Sequence, residues 1–316
     1  MQRLIFLIWY KFPKLILIPF LPLSILFLIS IYIRKFLLIN IFNRYTSKHK
    51  IIIVGNLVVG GSGKTPFTIW LSNYLKEKGK ETIIVSSGYG SSITSPKVIT
   101  EISDPRQVGD ESVLLSSKTR SMIVASSNRV ESTKYCDENK TDFIIHDDGL
   151  QHYSLNRDYE FIITNKNMRD NKFLLPCGPN REPKFFHKKS DFIFSNYKGL
   201  QYPGFYSEIA GVRSHIDNKT YNLDDNRFSQ SILLTAIADN LSIIEELQSY
   251  GIDLNTLSYP DHYQFNKLDI PSTDLPILVT EKDFVKIRSF ANKNIYILEQ
   301  KTIPNDKLLK IVEKLL

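Results

Sequence analysis

Between residues 50 and 78 the chain passes from an apolar run through a glycine-rich turn into a helical pattern. This succession constrains the fold more than any other stretch. Lys50-Ile51-Ile52-Ile53-Val54 has the short, unbroken apolar character of a parallel strand buried on both faces. Gly55-Asn56-Leu57-Val58-Val59-Gly60-Gly61-Ser62-Gly63-Lys64-Thr65-Pro66 follows it. A helix is then expected from about Thr65 to Lys78, with Phe67, Trp70, Leu71, Tyr74 and Leu75 on one side. Glycines let successive backbone N–H groups turn inward around phosphate oxygens, and the helix N-terminus adds partial positive charge. The pattern G-x-x-x-x-G-K-[ST] is met except at its first position, where Val58 stands, and Gly60-Gly61 compensates in part. Val58, Val59, Gly60, Gly61, Ser62, Gly63, Lys64 and Thr65 are the expected phosphate cradle. Lys64 would reach the β and γ phosphates and the Thr65 hydroxyl would ligate Mg²⁺.

A second apolar strand, Phe143-Ile144-Ile145-His146, ends in Asp147-Asp148. Carboxylates at a strand end beside a phosphate-loop strand can hold Mg²⁺ directly or through water; paired acids there also occur as solvated caps. Asn139-Lys140-Thr141-Asp142 matches the guanine-reading N-K-x-D, but it precedes the metal-binding strand instead of following it. It reads as a polar turn.

Charge is distributed unevenly. Residues 1–50 carry Arg3, Lys11, Lys14, Arg34, Lys35, Arg44, Lys48 and Lys50 and no acid, whereas the remainder holds 32 basic and 33 acidic residues. A basic nucleic-acid-binding face across the body is therefore not supported. Leu15–Ile33 is free of charge for 19 residues, near the ~20 needed to cross a bilayer. Pro19 and Pro22 are expected to break or kink a helix there. A cleaved signal peptide is disfavoured by the length of the run, by Arg34-Lys35 after it and by the lack of a small-x-small site. Basic clusters on both sides favour a bent or interfacial anchor over a simple span, with the two clusters on one membrane face. Cys136 and Cys177 are too few for a disulfide framework and read as small buried side chains.

Further strands are expected at Glu81–Ser86, Met122–Ala125, Tyr159–Thr164 and Asp191–Ser195, with helical stretches between several of them. That alternation argues for a mostly parallel sheet with helices on both faces. Residues 203–227 read as a connecting ribbon. A second α/β unit follows: strand Ile232–Ala236, helix Asn240–Tyr250, strand Ile277–Thr280, a helix from Glu281, strand Ile295–Leu298 and helix Asp306–Leu315. The fold class is thus α/β: a P-loop NTPase-like, mostly parallel sheet domain, a second smaller α/β domain and an N-terminal membrane-associated helical segment. The expected divisions are 1–45 anchor, 46–202 core, 203–227 ribbon and 228–316 C-terminal domain.

These motifs, in this order, resemble the tetraacyldisaccharide 4'-kinase family of the lipid A pathway. The stretches that carry the likeness are the phosphate loop, Ser87-Gly88-Tyr89-Gly90, Val108-Gly109-Asp110-Glu111, Asp147-Asp148-Gly149-Leu150-Gln151-His152, Leu175-Pro176-Cys177-Gly178-Pro179-Asn180-Arg181-Glu182, Pro260-Asp261-His262-Tyr263 and Thr280-Glu281-Lys282-Asp283. Three positions depart from the family: Ser87 stands for an arginine, Leu150 for a phenylalanine and Ser112 for a proline.

The resemblance implies transfer of the γ-phosphoryl of ATP to the 4'-hydroxyl of a membrane-held tetraacyldisaccharide 1-phosphate, at the cytoplasmic face of the bacterial inner membrane. It implies ATP and Mg²⁺ as cofactors. It pairs Asp110 with His262 as a base near the acceptor hydroxyl; taken alone, Asp110 reads as a helix-cap residue and His262 as a loop histidine. Asp147 and Asp148 are then the metal acids, with Glu111 beside them. Gln151, His152 and Arg181 are the substrate candidates, with Arg129 a further cation. The active site would lie in the cleft between the two α/β units. Two other classes share some features. A tyrosine kinase of the bacterial P-loop type would end in a tyrosine cluster, which Lys310–Leu316 lacks. A membrane-bound ATP-dependent switch would have no use for Asp110, His262 or a separate C-terminal unit.

Overall fold

The computed structural model describes residues 9, 14–88, 93–165, 171–237 and 240–316. Two sheets organise them. The first has seven strands in the order β3-β4-β2-β5-β1-β6-β7. These are β1 (Lys50–Gly55), β2 (Thr82–Ser86), β3 (Lys97–Ile99), β4 (Met122–Ala125), β5 (Phe143–Asp147), β6 (Tyr159–Thr164) and β7 (Asp191–Phe194). All neighbours are parallel except the edge pair β3–β4. β1 shows why it reads as an unbroken apolar run. Ile52 and Val54 face one core with Phe67, Leu71 and Leu75, while Ile51 and Ile53 face another with Val85, Ile144 and Leu150. Alternate side chains leave a strand on opposite faces, and here both faces are covered.

The second sheet has six strands in the order β11-β10-β12-β13-β8-β9. Its members are β8 (Phe205–Ser214), β9 (Thr220–Tyr221), β10 (Gln230–Thr235), β11 (Asp253–Ser258), β12 (Ile277–Thr280) and β13 (Ile295–Pro304). Within 203–227, β8 folds back antiparallel on β9, and both strands belong to this sheet through antiparallel pairing of β8 with β13. β11 escapes a pattern search because Asp253-Leu254-Asn255-Thr256-Leu257-Ser258 is a half-exposed edge strand with polar alternate positions.

The helices are α1 (Leu21–Asn40), α2 (Lys64–Glu77), α3 (Pro105–Val108), α4 (Asp110–Lys118), α5 (Arg129–Asp137), α6 (Leu241–Ser249), α7 (Glu281–Ile287) and α8 (Asp306–Val312). The two units share a core: Val285 of α7, Leu308 and Val312 of α8, and Leu315 join the first sheet's cluster. Arg106 donates to the Phe265 carbonyl at 3.3 Å, Arg288 donates to the Ser103 carbonyl at 2.7 Å, and Lys118 pairs with Glu281. The second unit is thereby clasped along α4, ahead of its first turn by Arg106 and Ser103 and at its last residue by Lys118.

The N-terminal prolines mark a change of helix type within the apolar segment. Pro19 lies in a 3₁₀ helix, Lys14–Phe20, and Pro22 sits in the first turn of α1, where no intrahelical N–H is required. Ile16–Asn40 has mean hydropathy 2.5 and is long and apolar enough to cross a membrane, with 11% of its most apolar window buried. One side of it docks on the body. Ser24 Oγ donates to the Leu174 carbonyl at 3.0 Å, and Lys35 donates to the Phe186 carbonyl at 3.0 Å while lying over the Tyr153 and Phe186 rings. Ile25, Leu26, Ile29, Ile33 and Phe36 remain exposed.

Beneath this contact lies a buried polar knot. Glu182 accepts from the Tyr153 hydroxyl and from His187 Nε2, both at 2.8 Å, and His187 Nδ1 faces Glu160 at 3.4 Å. Burial lowers the His187 pKa, but Glu160 and Glu182 outweigh it and leave the imidazole above its ordinary value. Cys136 and Cys177 are buried and unpaired with each other.

Gly55 tests how tightly β1 leaves the sheet, because a Cβ there would lie 2.5 Å from Leu150 Cβ. Gly55→Ala should cost about 1–3 kcal/mol of stability, read as a lower urea midpoint. An unchanged midpoint would contradict this packing.

Candidate functional site

The site begins where β1 and β5 end together. Their parallel register sets Val54 opposite Asp147, so the loop leaving β1 and the carboxylates leaving β5 emerge side by side. This is the carboxyl edge of the strands, where open α/β sheets bind ligands. The Asn139–Asp142 turn lies at the opposite end: Asp142 accepts from the Glu81 amide at 2.8 Å as β2 and β5 enter the sheet. It is a polar turn remote from the site, as its order in the chain suggests.

The loop is held open by backbone. Gly60 and Gly63 adopt φ of 113° and 84°, in the region that favours glycine, and a Cβ on Gly63 would press Ser195 Cβ at 3.1 Å. Val59 N–H donates to the Pro179 carbonyl at 2.9 Å, and Arg181 N–H donates to the Leu57 carbonyl at 2.6 Å. Val58 bridges Asn180 in antiparallel fashion. Val58 and Val59 thus pair with the Pro179–Arg181 segment, which is how Arg181 reaches the loop. Gly61 and Ser62 complete the turn, and Gly63, the N-cap of α2, offers no side chain to the first-turn amides. Those amides are free for an anion. The buried Ser62 Oγ and Asn56 Oδ1 lack hydrogen-bond partners, as does Asp148 Oδ1.

Lys64 Nζ lies 3.7 Å from Asp148 Oδ1, and an Arg181 terminal nitrogen lies 3.6 Å from Asp148 Oδ2. Asp147 accepts from Thr68 Oγ1 at 2.9 Å and meets Thr65 Oγ1 at 3.4 Å. Burial, then the charges of Glu111 and Asp148, push the Asp147 pKa up to about 6 against the pull of Lys64 and Thr68. Glu111 is thereby within electrostatic reach of the strand-end acids, although its own ion pair is with Lys282 at 3.1 Å. Asp148 takes a φ of 54°, which few side-chain-bearing residues adopt.

Asp110 and His262, 152 residues apart, meet: His262 Nδ1 lies 3.1 Å from Asp110 Oδ2 and 3.2 Å from Oδ1. Asp110 opens α4 and is buried; His262 comes from the loop after β11 with a φ of 59°. The hydrogen bond to Asp110 raises the His262 pKa, against burial and Lys282. Burial would raise the Asp110 pKa, but the His262 bond and Lys282 overcome it and hold it below its ordinary value.

The remaining candidates separate. Gln151 Nε2 donates to the Asn56 carbonyl at 3.2 Å, bracing the start of the loop. His152 lines a recess of about 250 Å³ with Ser127, Asn128 and Ser154. Burial and then Arg129, Arg34 and Arg157 depress its pKa to about 4. Arg129 is 2% exposed and donates to the carbonyls of Val85, Asp147 and Asp148, so it props the strand end from behind. Ser112 Oγ donates to Ser86 Oγ at 2.9 Å, a bond that a proline could not make. Tyr89 and Gly90 lie outside the described residues. Sequence reasoning gave no role to Lys282 or Asp261. Their only signal was membership of two quoted motifs, because nothing local in the chain announces that those motifs touch.

A family model described as Tetraacyldisaccharide-1-P 4'-kinase matches residues 16–316. The chain belongs to this family. The tetraacyldisaccharide 4'-kinase of Haemophilus influenzae (strain 86-028NP) is 36% identical over 299 residues, which cover 90% of this chain and 88% of that protein. That of Pseudoalteromonas translucida (strain TAC 125) is 34% identical over 319 residues, covering 98% and 95%. The crystal structure of LpxK from Aquifex aeolicus in complex with ATP superimposes with a TM-score of 0.79 at 26% identity, covering 95% of this chain and 99% of that one. Membership of the tetraacyldisaccharide 4'-kinase family bears out the resemblance and sets aside the tyrosine-kinase and switch classes.

The Asp110–His262 pair has a pH signature. A raised His262 pKa stabilises the fold fully below about 6.5, the unfolded value, and this contribution fades as pH rises through the folded value. A lowered Asp110 pKa stabilises above about 3.9 and is lost as pH falls through the folded value. Asp110→Asn should therefore lower the His262 pKa in an NMR titration. It should also cost more stability at pH 6 than at pH 9. An unmoved His262 titration would contradict the pairing.

Proposed function

We propose that this protein is an ATP-dependent lipid kinase that transfers the γ-phosphoryl group of ATP to the 4'-hydroxyl of a tetraacyldisaccharide 1-phosphate, a late step in lipid A biosynthesis. The observation that carries this reading is the meeting of Asp110 and His262 beside a phosphate loop, with Glu111 linking them electrostatically to Asp147. The ATP complex of the Aquifex aeolicus relative supports ATP as the donor.

In this reading Lys64, the Gly60–Thr65 amides and Ser62 Oγ hold the triphosphate. The orphaned Ser62 hydroxyl and the uncapped first turn of α2 suit anionic oxygens. Thr65, Asp147, Asp148 and Glu111 would hold Mg²⁺. Among the described residues no group of three or more His, Cys, Asp or Glu side chains forms a protein-only metal cage. That donor set suits a cation that takes one or two carboxylates and fills its shell with water and phosphate. Mg²⁺ supplies neutralisation of phosphate charge. Asp110, held ionised by His262, orients the acceptor hydroxyl and the dyad takes its proton. The loose transition state of phosphoryl transfer asks mainly for positioning and charge, which Lys64 and Arg181 supply. Gln151, at the foot of the loop, and His152, in its separate recess, remain the candidates for contact with the sugar.

The membrane part of the proposal rests on α1. Ser24 and Lys35 are eleven positions apart, about 16 Å along a helix, and both bond to the same globular body. A helix so held runs along the body with its outer face toward lipid, which favours an interfacial anchor over a span. An open groove of about 720 Å³ along it, walled by Leu26, Ile29, Ile33 and Leu37 with Arg34 at its edge, suits acyl chains under an anionic headgroup. The basic flanks favour the cytoplasmic face.

Incubation of the purified enzyme with γ-labelled ATP and the disaccharide monophosphate in detergent should label the lipid. Lys64→Ala and Asp110→Ala should each cut turnover by about 100-fold or more while the protein stays folded. Near-normal turnover of Asp110→Ala would remove it from the mechanism. Label appearing only in protein or inorganic phosphate would overturn the kinase assignment. Polar replacement of Leu26, Ile29 and Ile33 should abolish flotation with anionic vesicles; retained flotation would move the anchor elsewhere.

A further inference from the structure

We infer that Lys282 is a positioning residue for this reaction: its ammonium group grips Glu111 and Asp261 at once and thereby latches Asp110 to His262. The inference rests on the functional reading above. Each member of the dyad has an acid as its chain neighbour, Glu111 after Asp110 and Asp261 before His262. Lys282 Nζ lies 3.1 Å from Glu111 Oε1 and 3.6 Å from Asp261 Oδ1. The same Asp261 oxygen accepts the His262 backbone N–H at 3.1 Å, and the other carboxylate oxygen lies 3.7 Å from His262 Nε2. One lysine therefore steadies the carboxylate that holds both the backbone and the ring of His262.

His262 needs such support. Its φ of 59° is unfavourable for a residue with a side chain, and a strained conformation persists only where its surroundings over-determine it. Without a cation, Asp110, Glu111 and Asp261 would also repel one another across the junction of the two units. Burial opposes the charge on Lys282, but Glu111, Asp110 and Asp261 outweigh it and keep its pKa above the ordinary lysine value.

The lysine stands on a firm base. It is the second residue of α7, whose cap, Thr280, accepts the Asp283 amide at 3.1 Å. Asp283 in turn accepts from the Thr280 and Thr235 hydroxyls at 2.8 and 3.0 Å and from the Ala236 amide at 3.1 Å, all buried. The junction has other ties that do not touch the dyad, from Lys118 to Glu281, Arg106 to Phe265 and Arg288 to Ser103. Loss of Lys282 would therefore loosen the corner that holds the dyad while the units stay joined.

The test compares Lys282→Met, Lys282→Arg, Asp261→Asn and the Met/Asn double variant in the lipid kinase assay. Lys282→Met should lower kcat about 10- to 100-fold, the cost of a misplaced catalytic group, and leave KM for ATP within about twofold, since the phosphate loop is untouched. Lys282→Arg should recover most of kcat. The double variant should be no worse than the poorer single one, because both act on one contact. In the NMR spectrum of histidine-labelled enzyme, the hydrogen-bonded ring N–H of His262 should be sharp in the wild type and lost in Lys282→Met. A kcat within about twofold of wild type in Lys282→Met, multiplicative losses in the double variant, or an unmoved His262 resonance would each overturn the latch. If Lys282→Met fails to fold, Asp261→Asn with the same kcat and NMR readouts decides it. A wild-type enzyme that labels no lipid overturns the functional reading instead, and the NMR comparison still judges the latch.

Discussion

The parallel pairing of β1 with β5 is the constraint on which the site depends. One register, Val54 against Asp147, decides that a glycine loop and a pair of carboxylates leave the sheet at the same height. The pairing is enforced by burial on both faces, since Ile51 to Val54 are all within 1% of complete burial. A slip of one residue would turn each of these side chains to the opposite core and separate Lys64 from Asp148. Arg129 reinforces the arrangement from behind by binding the carbonyls of Asp147 and Asp148.

Much of this was legible in the sequence because its signals are local. The strand, loop and helix of residues 50–78 follow one another without interruption, and the apolar runs of β2, β4, β5, β6 and β12 announce themselves. Edge strands were harder to read. β3 and β11 are short or polar on alternate positions, and their pairing is set by neighbours from elsewhere in the chain. The prolines of the N-terminal segment could be read only in part for a related reason. Proline disrupts a helix interior, but whether Pro22 falls in the interior or the first turn depends on where the helix starts.

The same distinction runs through the site. Residue types at the glycine-rich loop carry their candidacy in their spacing, so Lys64 and Thr65 stand out as candidates without a structure. Asp110 and His262 could not be paired by spacing, since they are 152 positions apart; only the likeness to a family joined them. Lys282 and Asp261 belong to motifs whose spacing does not foretell that the packing of α7 against α4 brings Lys282 to both Glu111 and Asp261. Arg129 shows the converse. A cation near the strand end reads as a phosphate contact in sequence, yet its burial and its carbonyl partners give it structural work.

The docking of α1 has a consequence for how the molecule would sit on a bilayer. Ser24 and Lys35 fasten the helix to the body near both of its ends, and Lys35 presses on the lid of the Glu182–His187 knot, one residue from Arg181. On a bilayer, a helix held in this way would act as a keel and not a tether. It would set a waterline, and with it the elevation of the cleft above the lipid tails, so that a headgroup would be admitted by its height before any side chain inspects it.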